Sequence, residues 1–535
     1  MTGVVAQAEP DVDLLHNPSD KERKYDRQLR LWANSGQAAL ESANILLVNS
    51  GSGTVGVEAL KNLVLPGIGR FTIADAAIVC DADLGVNFFL DESCCGKSRA
   101  ECCTQLLREL NPEVVGDWYP RTKEQAESRG PLHLQQLLES SDAFTVILYT
   151  LPLAADQIAL LQSYAREHGT PLVSVHSVGF YSFFNVSFAG TVPVVETHPD
   201  ETASTDLRLL SPWPKLSAFS HNLTKNMEKL DNHEHGHLPL VAILLHYLAL
   251  WKQAHGGAYP SSYADKIAFR KSVSDAMRRD NPEGGEENFE QAIAAVMQHV
   301  TPPSLPNSLR QVFNYRHGDE NLRSNFWVIS QAVQQFYHEH QQLPLPGGLP
   351  DMKAQSNVYV DLQTIYKEKA RQDACEVLAV ARTIPGGGQI GLEEVEIFCK
   401  NAKFLKLVNP VEIRDPCLEH IVEKELEKDE MAASGGPDMP RSLVPLYLAL
   451  VATSHGSAAS ASDIVSSIVR RAPVLLGNER VAEVAAEVSR AAGGELHTIS
   501  AFTGGMVAQE MIKIITKQYI PIDNTYIDET LQSTL

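Results

Sequence analysis

The stretch "GSGTVG" places Gly51, Gly53 and Gly56 in the spacing G-x-G-x-x-G. Glycines so spaced permit a tight turn and close backbone approach, and a helix starting there points free N–H groups at an anion. Asp75 lies about 20 residues further on, where an acid can take the hydroxyls of a ribose. Upstream, "KYDRQLRLW" (24–32) carries Arg27 and Arg30, two cations able to meet a phosphate. The chemistry suggested is that of a nucleotide site. The same glycines serve equally well to pack a strand against a helix, and the pattern alone leaves the two uses level.

The elements that must position these residues follow from hydrophobic spacing. "NILLVN" (44–49) reads as a strand ending in the glycine turn. Val57, Leu60, Val64 and Leu65 recur at helical spacing until Pro66–Gly67 stop the helix. "RFTIAD" (70–75) alternates like a strand and ends on Asp75. Strand, glycine turn, helix, strand and acid form the first unit of a doubly wound sheet. A helix over 97–110, a strand over 143–150, a helix near 155–167 and "PLVSV" (171–175) extend it. From about 180 to 490 helical patterns take over, at 286–300, 326–340 and 360–384. They are broken by "LPLPGGLP" (343–350) and by the charged stretch 423–442, which reads as a surface loop. "HTISAFTGGMVAQEMIKIITKQ" (497–518) reads as an apolar helix interrupted at Gly504–Gly505, small enough there to lie close to a sheet or another subunit. "YIPIDNTYID" after it reads as a strand pair. The expected class is α/β: a Rossmann-like domain formed by both chain ends, with a large, mainly helical insertion. Its expected boundaries are 1–178, 179–490 and 491–535.

Composition narrows the function. At 535 residues the chain has room for two to four domains, and a net charge of −21 argues against a nucleic-acid binder. The longest apolar runs, 239–251 and 443–452, fall short of the roughly 20 residues that span a bilayer and read as core helices. No basic-then-apolar signal pattern is visible in the first 20 residues. Eight cysteines occur without a CxxC pair, so no structural zinc site of usual spacing is expected. The adjacent pairs Cys94–Cys95 and Cys102–Cys103 suit reduced, mostly buried thiols of a cytosolic or nuclear protein. In "DNHEHGH", His233, His235 and His237 could hold a metal, but incidental surface histidines are the preferred reading. His497–Thr498 reads as a capped helix start.

"KYDRQLRLW", "GSGTVG", "LPGIGRFTIAD", "FFL" and "GKSRAE" together resemble the ThiF-type adenylation domain of enzymes that activate ubiquitin-like proteins. With "EENFEQAI", "LPDM", "YKEKARQDA" and the 497–518 segment, the likeness narrows to the regulatory subunits of neddylation activating enzymes and runs from about 21 to 530. It implies a heterodimer whose catalytic subunit uses ATP and magnesium to adenylate the neddylation modifier, then passes the modifier to a cysteine. In this chain it implies a degenerate site. Val86 and Asn87 stand at the family's arginine and glutamine positions, and Arg99 stands at its lysine position. "YTLPLAAD" (149–156) offers magnesium no acid before Asp156. Gly51, Gly53, Gly56, Asp75 and Arg99 are then vestiges of a cofactor site, with no cofactor or metal of the chain's own. No cysteine has the family's Pro-x-Cys-Thr setting; Cys417 in "DPCLEH" comes nearest, so the insertion resembles the cysteine domain without its cysteine. The chain also stops soon after the 497–518 helix, leaving no room for a ubiquitin-fold domain. Arg27 matches the amino-terminal arginine that reaches the triphosphate of the neighbouring domain, whereas Arg30 reads as a solvated charge. The expected partners are the catalytic subunit and the modifier, with no nucleic acid or membrane, in cytoplasm and nucleus. Two other classes stay open: a scaffold indifferent to loss of Arg27, and a nucleotide-dependent oxidoreductase, for which the residues after 180 show no acid–base grouping.

Overall fold

The computed structural model describes residues 19–121, 132–199, 205–279, 285–316, 324–409, 418, 420–427, 442–456 and 460–529. Cys417 and most of the charged stretch 423–442 lie outside them. The chain divides into two compact units, Met1–Val192 with Val408–Leu535, and Pro193–Leu407.

The first unit is built on a seven-stranded sheet of order β3-β2-β1-β4-β5-β6-β9. Its strands are β1 (Asn44–Val48), β2 (Arg70–Ala74), β3 (Val115–Tyr119), β4 (Val146–Thr150), β5 (Leu172–Val178), β6 (Tyr181–Ser187) and β9 (Thr525–Glu529). The first five in that order run parallel, and β6 and β9 add antiparallel edges. Ile45, Leu46, Leu47 and Val48 are all fully buried, as a parallel strand covered by helices on both faces requires. The order reverses between β1 and β4, and in such sheets ligands bind in the crevice outside the strand ends at that reversal. The α/β class with its parallel-dominated sheet is therefore as the sequence indicated.

Around the crevice stand α3 (Thr54–Val64), α4 (Asp81–Leu84) and α5 (Arg99–Leu110), whereas α1 (Asp20–Lys24) and α2 (Asp26–Ser42) lie toward the other ends of the strands, where Lys24 reaches Asn111 and Glu113 ahead of β3. The C-terminal helix, His497–Thr516, packs along α3. It is not interrupted at Gly504–Gly505. A Cβ on Gly504 would lie 2.8 Å from the Ala59 nitrogen, so glycine there lets two backbones approach, whereas Gly505 faces open space. The small residue is an interface requirement, not a break.

Three other expectations are corrected. The insertion is shorter than 179–490, because residues on both sides of it belong to the sheet unit. Val178, Tyr181 and Phe183 share a core with Leu446, Ile464, Val484 and their neighbours from helices Val444–Ala452, Ala461–Arg471 and Glu479–Ala491. His176, buried and held near a pKa of about 4 by that burial, ties this core together through Leu151 and Thr453. Strands also occur where only helices were expected: "YSFFNVS" is β6, buried nearly throughout and so without the alternation that marks a half-exposed strand. The C-terminal strand pair is the single strand β9, which finds its partner in β6.

The second unit is mainly helical, around Phe269, Phe289 and Tyr366, with a two-stranded sheet of β7 (Val192–Val195) and β8 (Leu405–Val408). The expected helices at 286–300, 326–340 and 360–384 are Glu287–His299, Asn325–His340 and Ser356–Ala381. His235 is buried there, 2.6 Å from Glu286 and stacked on Phe289, so it is a core histidine and not a surface one. The rings of His233 and His237 meet at a tilt of 39°, with centroids 4.2 Å apart.

Gly504→Val should force α3 and the C-terminal helix apart, lowering stability by about 1–3 kcal/mol as overpacked cores do. Gly505→Ala should be neutral or slightly stabilising. Urea midpoints of the two variants decide between a close-contact role and an indifferent one.

Candidate nucleotide site and the exposed arginine

Four backbone and side-chain groups of a dinucleotide-type crevice would have to be free to receive a nucleotide: the ribose acid, the turn amides, the first helix amides and the mouth beside β4. In this chain the acid, the Ser50 amide and the Val55 amide already have partners from the chain itself.

The acid is the first. Asp75 ends β2 and is buried, with its Oδ2 accepting from Arg99 Nε at 2.6 Å and from Asn49 Nδ2 at 2.9 Å. Its Oδ1 accepts the Ala77 N–H at 2.8 Å. Arg99, at the first position of α5, is buried as well and spends its Nη1 on Asp83 at 2.9 Å and on the Ser52 carbonyl at 3.0 Å. Burial opposes the guanidinium's charge, but Asp75 and Asp83 outweigh it and hold the group more firmly protonated than a free arginine. Burial also works against the charge of Asp83; hydrogen bonds from Cys80 and Arg99 prevail and hold its carboxyl below the usual 3.8.

The turn is filled next. The Ser50 N–H donates to the Thr150 hydroxyl at 2.7 Å, and the Ser50 hydroxyl donates to the Thr150 carbonyl at 2.8 Å. Pro152, after β4, stands 3.1 Å from where a Gly51 Cβ would be. Gly53 is left-handed (φ 65), and a Cβ on it would meet Asn49 Nδ2 at 2.3 Å. These glycines are required by the chain's own Asn49 and by the turn. At the head of α3, the Val55 N–H donates to Glu495 Oε2 at 2.9 Å. A nucleotide would have to displace these partners of Asp75, Ser50 and Val55 to use the crevice.

The sites read from sequence are thus brought together, except one. Gly51, Gly53, Gly56, Asp75 and Arg99 converge at the strand ends. Val86 and buried Asn87 lie beside them, with Asn87 on Cys103 at 3.7 Å. Asn49, Asp83, Thr150 and Glu495 had not been singled out; the last is 440 residues from its partner Val55, and no local pattern marks it. His497 is not a cap: no side chain caps that helix, and its ring stacks on Phe88 at 3.7 Å and meets the Val86 carbonyl at 3.1 Å.

Arg27 stands apart. It lies exposed on α2 and makes no hydrogen bond or ion pair among the described residues, whereas Arg30 pairs with Asp26 at 3.0 Å. Trp32 and Ala33 depart from helical geometry and kink α2 just beyond them. Of the cysteines, Cys80, Cys95 and Cys375 are exposed. Burial pushes the thiol of Cys102 up to about 11 and that of Cys103 up to about 12, the opposite of what a nucleophile needs.

Residues 25–533 match the model of the ThiF family. The chain belongs to that family. It is 33% identical to a NEDD8-activating enzyme E1 regulatory subunit of Xenopus laevis over 96% of this chain and 98% of that one. It is 35% identical to a protein of the same description from Drosophila melanogaster, over 95% of each. The regulatory subunit AXR1 of Arabidopsis thaliana is 31% identical over 94% of each. The chain is thus a member of the regulatory-subunit branch of the family.

Arg99→Ala should leave Asp75 and Asp83 buried without their cation, at a cost of about 3–5 kcal/mol in the urea unfolding of the chain. The part carried by Asp83 is present above its usual 3.8 and disappears as pH falls through its lower folded value, so the gap from wild type should narrow in acid.

Proposed function

We propose that this chain is the non-catalytic subunit of a heterodimeric activating enzyme for the neddylation modifier, and that it lends Arg27 to the ATP site of its catalytic partner. The reading is carried by near-full-length likeness to proteins named as regulatory subunits of NEDD8-activating enzyme. The self-filled crevice supports a division of labour in which ATP and magnesium are used by the partner. The partner and modifier are macromolecules with which this chain works in cytoplasm and nucleus.

The role given to Arg27 follows from charge. Adenylation of a carboxylate transfers a nucleotidyl group and releases pyrophosphate, so negative charge must be met by cations fixed in place before reaction. A guanidinium with no partner among the described residues, on a helix ahead of the fold, can be supplied to a phosphate in another chain. Arg30, already paired with Asp26, is the less suited of the two.

Modifier-dependent exchange of ATP with labelled pyrophosphate is the test. The chain alone should give none, and the complex should give robust exchange. Arg27→Ala in an intact complex should lower exchange on the order of 10²-fold, the loss of one transition-state donor, while Arg30→Ala should have little effect. A complex of full strength carrying Arg27→Ala would leave this chain a scaffold.

A further inference from the structure

In a fold of this type the head of the first helix is where a phosphate of the ligand sits, held by backbone N–H groups and the helix dipole. Here that place holds a carboxylate. Glu495 is buried, and its Oε2 accepts the Val55 N–H at 2.9 Å and the Ser500 hydroxyl at 2.6 Å. The backbone behind it is pinned as well, with the Gly179 N–H donating to the Gly494 carbonyl at 2.8 Å at the end of β5. Thus the segment leading into the C-terminal helix carries an anion into the glycine loop from the opposite end of the chain.

We propose that Glu495 is a built-in anion that occupies the phosphate position of the glycine loop and keeps the crevice closed to nucleotides. The inference rests on the reading that this chain does not use its own crevice, and it supplies a physical reason. A vacant loop would leave buried N–H groups without acceptors, each costing about 1–3 kcal/mol. An external phosphate normally removes that cost. Glu495 removes it from within the chain, at an effective concentration that a free ligand would have to exceed.

The neighbouring Thr54 hydroxyl, at the first position of α3, is buried and has no hydrogen-bond partner among the described residues, Glu495 included. With the carboxylate gone, an incoming oxyanion would find the Val55 amide. Arg99 would remain committed to Asp75 and Asp83, so the opened pocket should favour a small oxyanion over a ribose-bearing ligand.

The experiment uses the full chain and inorganic pyrophosphate as probe, read by calorimetry and by melting temperature. Glu495→Ala should bind pyrophosphate on the order of tenfold or more tightly than wild type, the worth of a charge-assisted hydrogen bond, and should melt higher in its presence. Glu495→Gln keeps the bulk and an acceptor oxygen but removes the charge, and should bind pyrophosphate more tightly than wild type and less tightly than Glu495→Ala; a Glu495→Gln as closed as wild type would overturn the role given to the anion. If Glu495→Ala is unfolded in plain buffer, recovery of its folded circular dichroism on adding pyrophosphate carries the same meaning, and failure to recover overturns the proposal. A folded Glu495→Ala that ignores pyrophosphate also overturns it. Wild type binding pyrophosphate as tightly as the variant would instead overturn the reading that the crevice is unused.

Discussion

A charge removed from water must be paired, and this domain is organised around one that is. The guanidinium of Arg99 sits between Asp75 and Asp83 with a third bond to the Ser52 carbonyl. These groups come from the end of β2, from α4 and from the glycine turn, so one side chain fixes three segments that would otherwise meet only at a ligand. Once it is in place, Asp75 cannot face a ribose without abandoning a buried cation. The cost of breaking such a pair far exceeds what one hydrogen bond to a sugar could return.

The rest of the crevice follows the same rule. Nucleotide-binding loops are poor in internal partners because the ligand provides them. Here Ser50 is satisfied by Thr150, Asp75 by Asn49 and Arg99, and Val55 by Glu495. The architecture of a binding site survives because it is also the architecture of the sheet: Gly53 and Gly56 make room for Asn49, and Gly504 lets the C-terminal helix lie against α3. A fold can therefore lose its ligand and keep its glycines, since packing alone still demands them.

The surface arginines are placed differently. Arg27 keeps its charge in water ahead of a kink in α2, and the neighbouring Arg30 is engaged by Asp26. An arginine side chain with no partner among the described residues keeps its five donors for another surface. Arg99 is sealed inside and Arg27 lies outside in water, so the two arginines of this domain stand in opposite environments.

The sequence alone determined the frame. A short apolar run, period-3.6 spacing and period-two alternation located β1, α3 and β2 in turn, and the glycine spacing with Asp75 identified a doubly wound start. Motifs at both ends, together with Val86 and the acid-free 149–155, pointed to a family and to a degenerate site. Those are local facts, written in neighbouring residues. The tertiary structure alone decided what fills the site, because its partners are distant in the chain: Asn49 with Asp75, Arg99 with Asp83, and Glu495 with Val55 across 440 positions. It also moved the inserted unit's edges, since β6 is buried on both faces and shows no alternation, and its core partners lie beyond residue 440. Periodicity reports which face of an element is dry; it carries no record of which remote side chain will meet that face.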